Sequence, residues 1–311
     1  MAAVFEQVPE NFASMHGELI YAVKCDRVCT FDAEVIDADS DDVLGVKRFV
    51  ETDRGRFDAA PFLRRHLFFL PRIGPTGFQT PAGRTVPVRI AVDGAVSPVR
   101  LFVPGPEPAV PSLVSPLRGL RRIGRTECDE LTFRTEGVCE AKLTIQTEKH
   151  FYEREYTAPT PGYAVFRLNA ADFPDACSIV VSAKGLPPVN YWIEQTAGCR
   201  IAWRSAEGSI EHYTFPAVRE ERRVRREGVR TDDGYRIVRI RAARVIALRS
   251  AYEPERVRRM LEGITASQAV WHVEAGVYVP VEVLAEESGF RERGTLRSME
   301  LVIRHEEYEE V

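Results

Sequence analysis

The chain has 311 residues, 44% of them hydrophobic, with a formal net charge of −4 and an isoelectric point near 6.0. That balance excludes a disordered polyelectrolyte and leaves no bulk electrostatic drive toward nucleic acid or an anionic membrane. No apolar run approaches the ~20 residues of a transmembrane helix, and residues 1–15 contain no Lys or Arg and no apolar core of signal-peptide length. A protein of two or three domains, made and folded in a cytoplasm, is therefore expected, with its six cysteines reduced and mostly buried.

In chain order, residues 1–103 read as a first β-sandwich. Residues 31–36 and 43–50 form a polar-tipped hairpin, and 86–92 and 99–103 alternate as half-buried strands around Asp93-Gly94 turn chemistry. Residues 104–116 hold Pro104, Pro106, Pro108, Pro111 and Pro116, which is too dense in proline for a central strand and reads as an extended linker. Residues 117–186 read as a second sandwich, with strands at 131–134, 141–147, 163–168 and 178–182, before the break Gly185-Leu186-Pro187-Pro188. Residues 187–311 open with a hairpin of 200–204 and 209–215 turned at Gly208, then a strand over 235–248. A helix starts at Glu253-Pro254, where proline at the first helical position gives up no hydrogen bond. Val257, Met260, Leu261 and Ile264 then fall at i, i+3, i+4 and i+7 as one apolar stripe. Strands at 269–273, 277–284 and 296–304 close the chain. The predicted fold is mainly β: two small β-sandwich (Ig-like) domains followed by a β-rich α+β domain with one helix on a sheet. Trp203, Phe215 and the helical stripe are expected to share its core.

Motifs that could carry chemistry have simpler structural readings. Asp37-Ala38-Asp39-Ser40-Asp41-Asp42 begins like a calcium loop, but Asp42 stands where glycine is needed and Arg48 where a bidentate glutamate is needed, so it reads as a hairpin turn. Cys25 and Cys29 lack the second pair a zinc site requires. The histidines show no ligand spacing, and His212 and His272 read as structural residues on strands. Glu148, Glu153 and Glu155 do not establish the ~5–9 Å carboxylate opposition of a glycosidase. The run 219–230 is rich in arginine but has interspersed glutamates and no aromatic, so it reads as an ion-paired hairpin arm and not a nucleic-acid patch. Arg118, Arg121, Arg122 and Arg125 form a second basic stretch. No catalytic, cofactor-binding or metal-ligating residue is assigned, and no cofactor is expected.

Trp203, Gly208, Ile210, Tyr213, Thr214 and Phe215, the segment 267–273, Tyr278-Val279-Pro280-Val281-Glu282-Val283 and the acidic-ending segment 301–307 together resemble the C-terminal domain of structural tail or baseplate proteins of Bacteroidetes phages and prophages. Leu19-Ile20-Tyr21 and Gly45-Val46-Lys47-Arg48-Phe49 resemble the same group near the N-terminus. The chain departs from that pattern in its Ala206-Glu207-Gly208 turn and in the arginine density of 219–230. The resemblance implies a non-enzymatic virion structural protein, synthesised in a bacterial cytoplasm and assembled into a virion or tail-like particle. Its implied partners are other virion proteins and copies of itself, with no nucleic acid and no membrane insertion. The arm 219–230 and the acidic cluster Glu306, Glu307, Glu309 and Glu310 are the expected complementary surfaces of self-association. The alternative is a glycan-binding or adhesion β-sandwich protein using Tyr191, Trp192 and Trp203 as an aromatic platform for a surface glycan. An enzyme acting on polysaccharide is a third, weaker reading.

Overall fold

The computed structural model describes residues 2–64, 71–80, 84–107, 109–117, 119–195, 198–306 and 308–309. The chain begins with β1 (Ala3–Gln7), β2 (Ile20–Asp37), β3 (Val43–Asp58), the short helix α1 (Ala60–Leu63), β4 (Gly77–Gln79), β5 (Val86–Val92), β6 (Ala95–Val96) and β7 (Arg100–Phe102). It continues through β8 (Ser112–Val114), β9 (Leu120–Gly124), β10 (Cys128–Thr147), β11 (Phe151–Asn169), β12 (Ala176–Ala183) and β13 (Val189–Glu194). Then come β14 (Cys199–Arg204), β15 (Ile210–Phe215), β16 (Ala217–Thr231), β17 (Gly234–Arg249) and α2 (Glu255–Ala266). The end is built from β18 (Val270–Glu274), β19 (Val277–Pro280), β20 (Glu282–Val283), β21 (Gly289–Arg293), β22 (Leu296–Arg304) and β23 (Tyr308–Glu309). The fold is mainly β, as the alternation predicts, with sandwich-like units ahead of a β-rich α+β unit.

Long bent strands shape the first two units. In β2, Tyr21, Val23, Cys25, Phe31, Ala33 and Val35 are buried while Lys24 and Glu34 point out, the period-two pattern of a half-buried strand. Its first half pairs with β1, its last residues pair with β5, and β3 accompanies it throughout, with bulges around Cys29 where the strand bends. One sheet thereby wraps one core, centred on Tyr21, Leu63, Ile90 and Phe102. The second unit repeats the device: β10 pairs along its length with β11, with β8 beside its near half and β12 beside its far half. Phe133, Leu143, Ile145, Phe166 and Tyr191 fill that core.

The second sheet reaches beyond the span 117–186 on both sides. β4 pairs with β11 and β13 pairs with β12 and, in parallel, with β9. The linker span 104–116 likewise ends in strand, because Ser112–Val114 sits between prolines with all three N–H groups available and pairs with Thr132–Arg134. Its start is not a free spacer either: Gly105 lies so close to the Glu207 carbonyl that an added Cβ would come within 2.0 Å of the oxygen.

In the last unit a sheet ordered β15-β14-β18-β19 and another ordered β16-β17-β22-β20 share a core with α2. Val257, Met260, Leu261 and Ile264 pack with Trp203 and Phe215 from the first and with Leu248, Leu301 and Ile303 from the second, so the predicted core is present. The helix begins one residue later than its sequence signal, because Pro254 has extended ψ (162°) and is the N-cap. The predicted strand 277–284 is interrupted at Val281, whose N–H turns to the Val270 carbonyl at 3.0 Å.

Candidate functional site

The feature that stands apart from these cores is the hairpin of β16 and β17. The strands are joined by Asp232-Asp233, with Gly234 at φ +122° and the Thr231 hydroxyl donating to the Gly234 carbonyl at 2.9 Å. Near its base β17 also pairs with β22 over Val245–Arg249 and with β23 at Arg241 and Ala242. Beyond those pairs no third strand supports it among the described residues. The tip therefore projects as a two-stranded arm, with residues 224–231 alone spanning roughly 25 Å at the usual rise per residue. Val224, Val229, Tyr235, Ile237 and Val238 are exposed on it.

The arm is also the basic part of an acidic protein. Residues 217–249 hold eleven arginines and five acidic residues, a balance of +6, so the rest of a chain at −4 carries −10. Its charges are partly paired: Arg219 with Glu221 at 2.9 Å, Arg225 with Glu227 at 3.7 Å, and Arg223 bidentately with Glu287 at 2.8 Å. At the base, Arg244 binds Glu220 at 2.6 Å and Glu274 at 2.7 Å. Hydrogen bonds from Arg223 hold Glu287 below the ordinary carboxylate range, and those from Arg244 do the same for Glu220 and Glu274. The ion-paired hairpin arm read from 219–230 is thus present. Of its expected acidic complement, Glu306 is exposed. β23 lies beside β17 of the same chain, with Glu309 in register with Arg241, while Glu307 and Glu310 lie outside the described residues. The chain's own C-terminal strand thus returns to the base of the arm.

Where β9 and β10 meet β15, the second and third units are held together by buried charge that the linear pattern does not reveal. Arg121 of β9 binds Asp129 of β10 at 2.9 Å and Glu211 of β15 at 3.0 Å, and Glu211 accepts from the Ser209 hydroxyl at 2.6 Å. His212 of β15 contacts Asp129 through Nδ1 at 3.0 Å and the Tyr278 hydroxyl through Nε2 at 2.9 Å. Because the carboxylate only accepts, the proton of that contact sits on Nδ1. Both ring nitrogens are thus occupied. Burial alone would raise Asp129, but Arg121 and His212 outweigh it and hold the carboxyl well below its usual range. Glu211, fully buried, is pushed upward by desolvation, with Arg121 opposing. Arg200 adds contacts to Glu127 at 2.7 Å and to the Cys128 carbonyl, and Glu130 is gripped by Arg84 and Arg167. A cavity of about 230 Å³ lies beside this network, lined by Leu117, Arg122, Tyr213, Glu253, Arg256 and Met260. Tyr213 donates to Glu253 there at 2.8 Å.

The remaining sequence candidates are dispersed. Cys25 is buried and Cys29 half-buried on β2, and burial raises the Cys25 thiol. Asp37 caps its own turn by accepting from the Asp39 and Ser40 amides at 2.8 and 3.3 Å. Among the described residues no group of His, Cys, Asp or Glu is placed to hold a metal. His272 contacts His305 at 3.2 Å. Glu153 pairs with Lys142 at 2.7 Å on the β10–β11 hairpin, away from the cavity lining. Of the aromatic platform, Tyr191 and Trp203 are fully buried and Trp192 is 56% exposed. Of the basic stretch, Arg121 is in the network, Arg122 reaches Glu194 at 3.7 Å, Arg125 donates to the Pro174 carbonyl, and Arg118 lies outside the described residues. No helix among the described residues is long and apolar enough to cross a membrane.

Comparison with known proteins leaves the geometry to speak for itself. No family model and no curated protein matches the chain. Among solved structures it is similar to a complex of Dpr2 Ig1–Ig2 with DIP-Theta Ig1–Ig3, at 7% identity over 62% of this chain and 99% of that chain, TM-score 0.20. It is also similar to chicken CNTN1 FN1–FN3, at 11% identity over 79% and 91%, TM-score 0.23, and to the I9–I11 tandem of titin, at 6% over 96% and 89%, TM-score 0.19. At such TM-scores the likeness carries no argument, and the β-sandwich description rests on the chain's own strands.

Proposed function

We propose that this chain is a non-enzymatic structural subunit that works by joining other proteins, and that its setting is a phage or prophage tail or baseplate, made in a bacterial cytoplasm and built into the particle. The observation that carries the reading is the projecting arm. A two-stranded hairpin without a third strand is marginal in water on its own, and this one exposes valine, isoleucine and tyrosine along a basic ladder. Such an element is stabilised by what docks on it, and its +6 charge favours an acidic protein surface.

The test is to replace residues 225–241 with Asn-Gly, joining the opposed pair Val224 and Ala242 while sparing the core. The shortened protein is expected to keep its melting temperature and to lose assembly, read by sedimentation, electron micrographs and co-purification with neighbouring tail proteins. An armless protein that still enters the same particles would end this reading. The glycan-binding alternative keeps one observation, exposed Trp192 opposite Arg122 on the β13–β9 ladder. Glycan retention by the full chain that disappears in Trp192→Ala would bring it forward.

A further inference from the structure

The outer edge of the arm is β16. It pairs with β17 on one side, and among the described residues no strand or other backbone group bonds to its opposite side. A free edge of this length is a template for another strand unless charge or shape forbids it. Here charge selects the partner. Counting outward from Arg223, each charged residue of the run 219–227 that meets a charged mirror position meets the opposite sign: Glu221 and Arg225, Glu220 and Arg226, Arg219 and Glu227. Arg222 mirrors Val224, Val218 mirrors Gly228, and Ala217 mirrors Val229. We propose that two copies of this chain pair β16 against β16, antiparallel, about a two-fold axis through Arg223, so that one sheet runs continuously across both subunits. The inference rests on the assembly reading above and names one of its contacts.

Strand geometry restricts the register. In a regular strand the N–H and C=O of a residue point the same way and alternate along the chain, so antiparallel partners must both face each other or both face away. A strand pairing with its own copy therefore centres on a residue and never between two. The irregularity near Gly228 places the extra residue, Val238, on β17, so β16 itself stays regular. Centring on Arg222 sets Arg219 against Arg225 and Arg222 against itself. Centring on Val224 sets Glu221 against Glu227, Arg222 against Arg226 and Arg223 against Arg225, all of like sign. Centring on Arg225 keeps two unlike pairings, Glu220 with Arg230 and Arg223 with Glu227. Arg223 alone gives three, each made twice in the dimer.

The like pair on the axis comes with its own counter-ions, because each Arg223 is already held bidentately by Glu287. The pairs Arg219–Glu221 and Arg225–Glu227 within one strand are solvent-exposed and exchange partners at little cost, and Arg226 has no partner within the described chain. The contact is isologous, so it closes as a dimer.

Sedimentation equilibrium of the full chain tests it through charge exchange. Glu221→Arg faces Arg225 of the second copy with like charge twice, and Arg225→Glu does the same to Glu221. Each alone is expected to weaken dimerisation about tenfold, with circular dichroism unchanged. Mixing the two variants restores every unlike pair, so a heterodimer of wild-type strength is expected, and the double variant should dimerise with itself. A monomeric wild type, or single variants that do not recover on mixing, overturns the proposal. Arg223→Cys should cross-link to its own copy on mild oxidation above the wild-type background, with Arg222→Cys and Arg225→Cys weaker; a stronger link at either overturns the register. If self-association is absent while neighbouring tail proteins still bind the arm, this inference falls and the assembly reading stands.

Discussion

The junction between the second and third units and the arm are built from the same two residue types, arginine and carboxylate, and use them to opposite ends. At the junction Arg121, Asp129 and Glu211 are out of water, each charge depends on the next, and no partner can be exchanged without exposing a buried ion. On the arm the pairs are solvated and loosely committed, so they contribute little to folding and are free to change partners. Position relative to solvent, and not composition, decides which charges fix the fold and which are available for contact.

The largest effect is expected at Arg121. Arg121→Met leaves Asp129 and Glu211 buried without their shared cation and is expected to cost about 3–5 kcal/mol in urea denaturation. A loss no larger than that of a surface arginine would show the junction to be wet. Acid should reveal the same asymmetry. Asp129 has a folded pKa below its unfolded value, so its contribution is complete above about pH 4 and is lost as pH falls through the folded value. Glu211 has the opposite sign, since its raised pKa makes its ionisation oppose folding at neutral pH. The melting temperature of wild type should therefore fall more steeply below pH 4 than that of Asp129→Asn; parallel curves would remove Asp129 from the account. Next comes the linker, where Gly105→Ala pushes a methyl into the Glu207 carbonyl and should destabilise by about 1–2 kcal/mol. A neutral result would mean that the linker does not rest on the hairpin turn. The smallest effect belongs to the arm: Arg219→Ala, measured below the concentration of self-association, should change stability by less than about 0.5 kcal/mol.

Period-two and helical spacing made the hairpins, the α2 stripe and the Trp203–Phe215 core legible, because each is a local pattern facing one core. The route of β2 and β10 was not legible, since nothing in a strand's alternation says that its neighbour changes halfway along. The junction was hidden for a different reason. In β14, Arg200 and Arg204 alternate with Ile201 and Trp203 as in a half-exposed strand, yet all six residues are buried, and an arginine looks solvated until the facing sheet is known. Ionisable residues at both phases of the neighbouring strand, Glu211 and His212 in β15, are the trace that could have raised the question. For the arm, the sign pattern around Arg223 is written in the residues themselves, but it acquires meaning only once β16 is known to be an edge.

β4 has a consequence for synthesis. Its three residues leave the ribosome with the first unit, but Gln79 pairs with Val165, which is made 86 residues later. At ordinary elongation rates that is a wait of roughly 4–17 s. During that time the first core can close around β2 while β4 stays unpaired. The nascent chain thus carries an early strand reserved for a late sheet, and a fragment ending before β11 would be born with that strand unclaimed.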